Sequence, residues 1–162
     1  PSALPAWWIP GEAIFPLVKD SAINYLIDAG PLVALLDRRD QWHAWSTQTL
    51  TALDEQLATT ETAVAEACHH LSQHRPTLLA LIAMVEERQV QLISTLTESA
   101  SRVGTLLAKY PGMDVGDASL VALSEAHPRA RLAAVDVRDC TGDRCLDGLP
   151  GPCLRPPQTT RP

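Results

Sequence analysis

The chain has 162 residues, the length of one compact domain, which buries about 70% of the surface its unfolded form would expose. Hydrophobic residues make up 46% of it and charged residues 20%, a balance that excludes wholesale disorder, a collagen-like chain and a low-complexity scaffold. The formal charge of -6 excludes a protein that holds nucleic acid chiefly by neutralising phosphates, so any work on RNA or DNA must rest on local basic residues or bound cations.

Residues 1–21 combine Pro1, Pro5, Pro10 and Pro16 with Trp7 and Trp8, a mixture that breaks both the helical and the strand period and predicts an irregular tail. This stretch has neither an initiator Met nor the layout of a secretory signal, as expected of a fragment. A domain over residues 22–139 follows. It opens with INYLIDAG at 23–30, a short apolar run that reads as a buried strand ending in Asp28 and passing into a helix, with Pro31 near its first position. Two helices are predicted over 31–57, the second with Trp42, Trp45, Thr49, Leu50 and Leu53 along one face. LATT at 57–60 reads as a second strand, and ETAVAEACHHLSQH as a helix capped by Thr59 or Thr60. Pro76 opens another helix, VQLIS at 90–94 is a third strand, and TLTESASRVGTLLAKY is helical again. MDVGDASLVALSEAH forms a helix with Asp114 at its cap and Asp117 three residues on, and RLAAVD at 131–136 is a fourth strand. This alternation predicts a three-layer α/β/α domain around a short parallel sheet of about four to five strands, joined by right-handed crossovers. Residues 140–162 hold five Pro and three Gly in 23 residues, show neither apolar period and are expected to be irregular. No run of about 18 apolar residues is present, so no membrane-spanning helix is expected and the chain reads as soluble. Four cysteines are too few for a disulfide-built fold, which makes the cytoplasm the expected setting.

Ligands of a parallel α/β sheet gather at the carboxyl ends of its strands, where the following helices begin. Asp28 ends the first strand and Asp136 the fourth, Asp114 and Asp117 lie in the first turn of a helix entering from that edge, and Glu66 lies about one and a half turns into the helix after strand two. Carboxylates about 4 Å apart near a surface repel by roughly 4 kcal/mol, a cost that a cation relieves. Oxygen-only donors favour a hard ion, Mg2+ or Mn2+, whose chemistry suits phosphodiester hydrolysis. Each acid also has a plainer explanation. Asp114 with Asp117 is what a helix N-terminus takes for capping and dipole reasons, Asp28 before Gly-Pro can simply start a turn, and a shifted helix phase would place Glu66 in solvent.

INYLIDAGPLVALLDRRDQWH, TTETAVAEACHHL, MDVGDASLVALSEA and AAVDVRD, in that order and at those spacings, resemble the acidic motifs of PIN-domain proteins, particularly VapC-type toxin ribonucleases. The resemblance covers residues 23–139. It implies that Asp28, Glu66, Asp117 and Asp136 are catalytic metal-binding acids, with Asp114 a frequent neighbour that binds water or metal. It further implies cleavage of single-stranded RNA dependent on Mg2+ or Mn2+, a homodimer, and a cognate antitoxin that occupies the site. The alternative from another class is a catalytically inactive PIN-like RNA- or protein-binding module. After the fourth motif the sequence departs from the family, which usually places an aromatic residue and a further strand there. Cys140 and a Gly, Pro and Arg-rich ending stand in their place, as a shifted reading frame near Asp139 would give, and an edge strand is expected to be missing.

Other motifs carry less. Cys68, His69, His70 and His74 raise a zinc reading, since His70 and His74 share a helix face. However, there is no H-E-x-x-H, and the spacing of Cys140, Cys145 and Cys153 matches no strong finger pattern, so structural roles are expected. The absence of G-x-x-x-x-G-K-[ST], G-x-G-x-x-G and G-x-S-x-G sets aside nucleotide-loop, dinucleotide and acyl-transfer chemistry. Most basic residues read as solvated helix ends; Arg38 and Arg39, in the loop after the first helix, are the best candidates for contacting an RNA backbone. Trp42 and Trp45 could stack bases, although such a pair is more often core or interface.

Overall fold

The structure is a computed structural model that describes residues 23–53, 55–135, 153–154 and 156–157. The predicted tail at 1–21 and most of 140–162 lie outside the described residues. The element order is β1 (Tyr25–Ile27), α1 (Ala29–Leu36), α2 (His43–Thr51), β2 (Leu57–Thr60), α3 (Glu61–Leu71), α4 (Arg75–Glu86), β3 (Val90–Ile93), α5 (Thr95–Lys109), α6 (Val115–Ala126), β4 (Arg131–Ala133) and β5 (Cys153–Leu154). The strands form one parallel sheet in the order β3-β2-β1-β4-β5.

Alternation along three- and four-residue strands decides which layer each side chain enters. Ile27, Leu57, Val90 and Ala133 pack with Leu32, Leu35, Leu36, Leu71, Leu81 and Met84, so α1, α3 and α4 cover one face. Leu26, Ala58 and Leu132 point the other way, against Leu123 and Ala130 beside α6. Beyond α6, Val103 and Leu106 of α5 meet Ala118, Val121 and Ala122 in a smaller apolar cluster. The result is the expected three-layer α/β/α arrangement. The chain moves outward from β1 through β2 to β3, then returns to the other side of β1 with β4. The strand order therefore reverses between β1 and β4, and their carboxyl ends form the crevice in which open α/β sheets bind ligands.

Three local features differ from the sequence expectation or add to it. First, α2 stops at Thr51, and its buried residues are Ser46 and Leu50, while Trp42 and Trp45 are only half-buried. A short helix with few apolar residues docks along one i, i+4 pair instead of a wide stripe. Second, the C-terminal stretch expected to be irregular supplies an edge strand: Leu132 pairs with Cys153 and Ala133 with Leu154, and the Ala134 N–H donates to the Leu154 carbonyl at 3.1 Å. The edge strand expected to be missing is thus present. The outer backbone groups of β4 need partners, and a two-residue strand is too short to show alternation in sequence. Third, α4 ends in a left-handed residue, Arg88, with φ of 58°. The Glu87 N–H donates to the Ala83 carbonyl at 2.8 Å and the Gln89 N–H to the Met84 carbonyl at 2.9 Å, which closes the helix end.

Candidate active site

Asp28 ends β1. Its N–H donates to the Ala133 carbonyl at 3.0 Å, tying it to the end of β4, while its Oδ1 accepts the Ala29 N–H at 2.7 Å and caps α1. The edge acid and the turn-starting residue are therefore one and the same. The Thr59 hydroxyl donates to the Ile27 carbonyl at 2.6 Å and binds β2 to this strand end. In the first turn of α1, Gly30 lies directly against the Val135 side chain, where a Cβ would collide, so the chain leaving β4 is packed on the start of the helix that Asp28 caps. Asp136, the next residue, lies outside the described residues.

On the other side of β1, α6 begins with Asp114 as its cap: Oδ1 accepts the Asp117 N–H at 2.8 Å. Asp117 is half-buried and Asp114 exposed. Glu66 is half-buried on α3, with Oε1 3.8 Å from His70 Nε2 one turn further along. Gly116 stands between these acids. A Cβ at Gly116 would lie 2.9 Å from Glu66 Oε2 and 3.2 Å from Asp114 Oδ1, so the two carboxylates flank one point of backbone and only a residue without a side chain leaves that space open. α1, α3 and α6 all start at this edge, and the partial positive charge at their N-termini offsets some of the repulsion between the acids.

Hydroxyls join α3 to α6, those of Thr60 and Ser119 buried and that of Thr62 half-buried. The Ser119 hydroxyl donates to the Gly116 carbonyl at 2.7 Å. It also lies 2.9 Å from the Thr60 hydroxyl and 2.5 Å from that of Thr62, which are themselves 2.9 Å apart. Thr60 additionally caps α3 by accepting the Ala63 N–H at 3.2 Å. Of these residues the sequence marks only Thr60, as one of two candidate caps beside Thr59, and the structure makes it the cap. Thr62 and Ser119 read there as ordinary first-turn residues, and the one signal for Gly116 is a glycine wedged between two acids in DVGD.

Among the described residues no group of three or more His, Cys, Asp or Glu could hold a metal ion by itself. The four-acid set implied by the sequence includes Asp136, which is outside them. The zinc reading of α3 finds no support: Cys68 packs beside the core and burial pushes its thiol above the ordinary value, away from the thiolate that metals bind. His69 stands edge-on to His70, with ring centroids 5.8 Å apart. The carbonyl of His74 accepts the Thr77 hydroxyl at 2.8 Å.

Arg38 and Arg39 sit in the loop after α1, which runs back from the acidic edge for eight residues, about 12 Å at 1.5 Å per residue. They lie at the end of α1 away from Asp28. Arg39 is committed locally, its Nε and Nη2 each donating to the Asp37 carboxylate at 2.9 Å. That hydrogen bond holds the Asp37 carboxyl below its ordinary value against the opposing effect of burial. Trp42 borders the same loop, its N–H donating to Asp40 Oδ1 at 2.7 Å.

No protein-family model matches the sequence, and no curated protein matches it. Solved structures do match. The sarcin-ricin loop cleaving toxin VapC20 of Mycobacterium tuberculosis is 15% identical over 78% of this chain and 96% of its own, with a TM-score of 0.66. A toxin-antitoxin complex from Klebsiella pneumoniae is 21% identical over 74% of this chain and 92% of its own, with a TM-score of 0.58. The PIN-domain endonuclease Utp24 is more distant, at a TM-score of 0.49.

Proposed function

Because this chain has the PIN-like α/β fold of VapC-type toxins, we propose that it is a Mg2+- or Mn2+-dependent endoribonuclease that hydrolyses phosphodiesters of single-stranded RNA. In this reading Asp28, Glu66, Asp117 and Asp136 hold the metal, with Asp114 beside them. The observation that carries it is the meeting of Glu66 and Asp114 around Gly116, at a sheet edge where Asp28 closes the neighbouring strand. All of these donors are carboxylate oxygens, which suits a hard divalent ion, and the missing side chain at Gly116 leaves room between two of them. When bound, a divalent cation supplies the charge that acidifies water and offsets charge on a leaving oxygen. Asp28 and Asp114 are held in place by the helix N–H groups they cap, so their orientation is set before anything binds. In the same reading Glu66 contributes its carboxylate from α3, across Gly116 from Asp114.

The same reading includes a cognate antitoxin and a homodimer in the cytoplasm. The antitoxin is supported by the toxin-antitoxin complex among the fold neighbours. RNA as substrate is supported by the loop-cleaving activity in the description of VapC20.

A manganese titration tests the proposal. At an Mn2+ concentration of 100 times its Kd, the folded protein gains about 2.7 kcal/mol, which raises Tm by roughly 5–10 °C for a domain of this size. Asp28→Asn is expected to abolish both that rise and cleavage of single-stranded RNA. No rise and no cleavage in the unmodified chain would instead identify a PIN-like RNA- or protein-binding module in which the acids persist as helix caps.

A further inference from the structure

We infer that the hydroxyls of Thr60 and Ser119, both buried, and of half-buried Thr62 are the positioning device of the acidic edge, fixing the start of α6 against the start of α3 and so setting Glu66 against Gly116, Asp114 and Asp117. The inference rests on the metal-site reading above and adds residues that the reading does not contain. Proton bookkeeping gives the network a direction. Ser119 donates to the Gly116 carbonyl at 2.7 Å, so toward the threonines it can only accept. Thr62, at 2.5 Å, is the donor to it. Thr60 accepts the Ala63 N–H and directs its own proton to Ser119 or Thr62, each 2.9 Å away. Every hydroxyl proton has an acceptor, and Ser119 is fully buried. A satisfied buried network admits one arrangement of the two helices, whereas an apolar contact of the same size would let them slide by fractions of an ångström. The network ends at Gly116, the residue against which Glu66 and Asp114 rest.

If the hydroxyls served the fold alone, replacing Thr62 by an apolar group of similar shape, with every remaining hydroxyl proton still accepted, would be nearly neutral for stability and would not touch metal affinity. A positioning role predicts a separation of effects. Thr62→Val, which leaves Ser119 to accept the Thr60 proton and to donate to Gly116, is expected to keep a metal-free Tm close to that of the unmodified chain, while its affinity for Mn2+ falls 10- to 100-fold, the usual effect of losing groups that orient metal ligands. Thr62→Ser, which retains the hydroxyl, is expected to keep full affinity. Affinity is read by isothermal titration with Mn2+ alone, and Tm by thermal melting without metal. Ser119→Ala, which leaves Thr62 to accept the Thr60 proton, provides a second measurement should Thr62→Val fail to fold. If the unmodified chain binds Mn2+ and the apolar variants bind it equally well, the inference is overturned and the metal site stands. Equal loss in Thr62→Ser would also overturn it, since the hydroxyl would then be immaterial. If the unmodified chain binds no Mn2+, the metal site falls and takes the inference with it.

Discussion

Gly116 occupies the first turn of α6, where alanine would ordinarily favour the helix by about 1 kcal/mol. A Cβ there would stand 2.9 Å from Glu66 Oε2, and since that atom is the end of a flexible side chain, Glu66 would swing aside and the backbone would not have to move. Gly116→Ala is therefore expected to leave the metal-free Tm unchanged or slightly higher while lowering Mn2+ affinity at least tenfold, on the order of the loss of one oriented ligand. Equal affinity of the two proteins in a metal titration would contradict this. Asp37 illustrates a residue effect outside the site. The Arg39 hydrogen bond holds its carboxyl below the ordinary carboxylate value, so the pair favours the folded state above that ordinary value and loses the effect as pH falls through the lowered one. Arg39→Ala should separate slightly from the unmodified chain in Tm at neutral pH and converge with it in acid once the Asp37 carboxyl is protonated in the folded state, the gap being small because the pair is exposed. RNA cleavage is expected to be untouched, since the pair lies at the far end of α1. At this scale Asp28, Asp114 and Thr60 were legible in the sequence, because helix caps have a local signature. Thr62 and Ser119 were not, because two hydroxyls 57 positions apart have no pattern that announces their contact.

Among the elements, the end of α4 carries a conformational cost that can be removed. Arg88 holds φ of 58°, which a residue with a Cβ resists and glycine adopts freely. Its carbonyl accepts the Gln56 side-chain N–H at 2.8 Å, a bond that does not depend on the Arg88 side chain. Arg88→Gly is expected to stabilise the fold by about 0.5–1 kcal/mol, read as a higher urea midpoint with unchanged slope. The strands were legible as brief apolar runs, each ending where a capped helix begins. α2 was not well bounded, because it buries little beyond Ser46 and Leu50 and its tryptophans mimic an apolar stripe. β5 was invisible in the sequence, since two residues show no period and their pairing with β4 joins distant parts of the chain.

For the molecule as a whole, strand-helix alternation foretold a parallel sheet in three layers, while the order β3-β2-β1-β4-β5 depends on long-range pairing that no local period encodes. That order brings Asp28 beside the exit of β4 and leaves α3 and α6 facing each other across the same rim. Two of the acids there also begin helices, Asp28 for α1 and Asp114 for α6. An amide oxygen starts a helix as well as a carboxylate does. Exchanging both for asparagine would erase two negative charges while keeping an oxygen for each cap; on the proposed nuclease reading that gives a twin of the protein suited to capturing an RNA without cutting it.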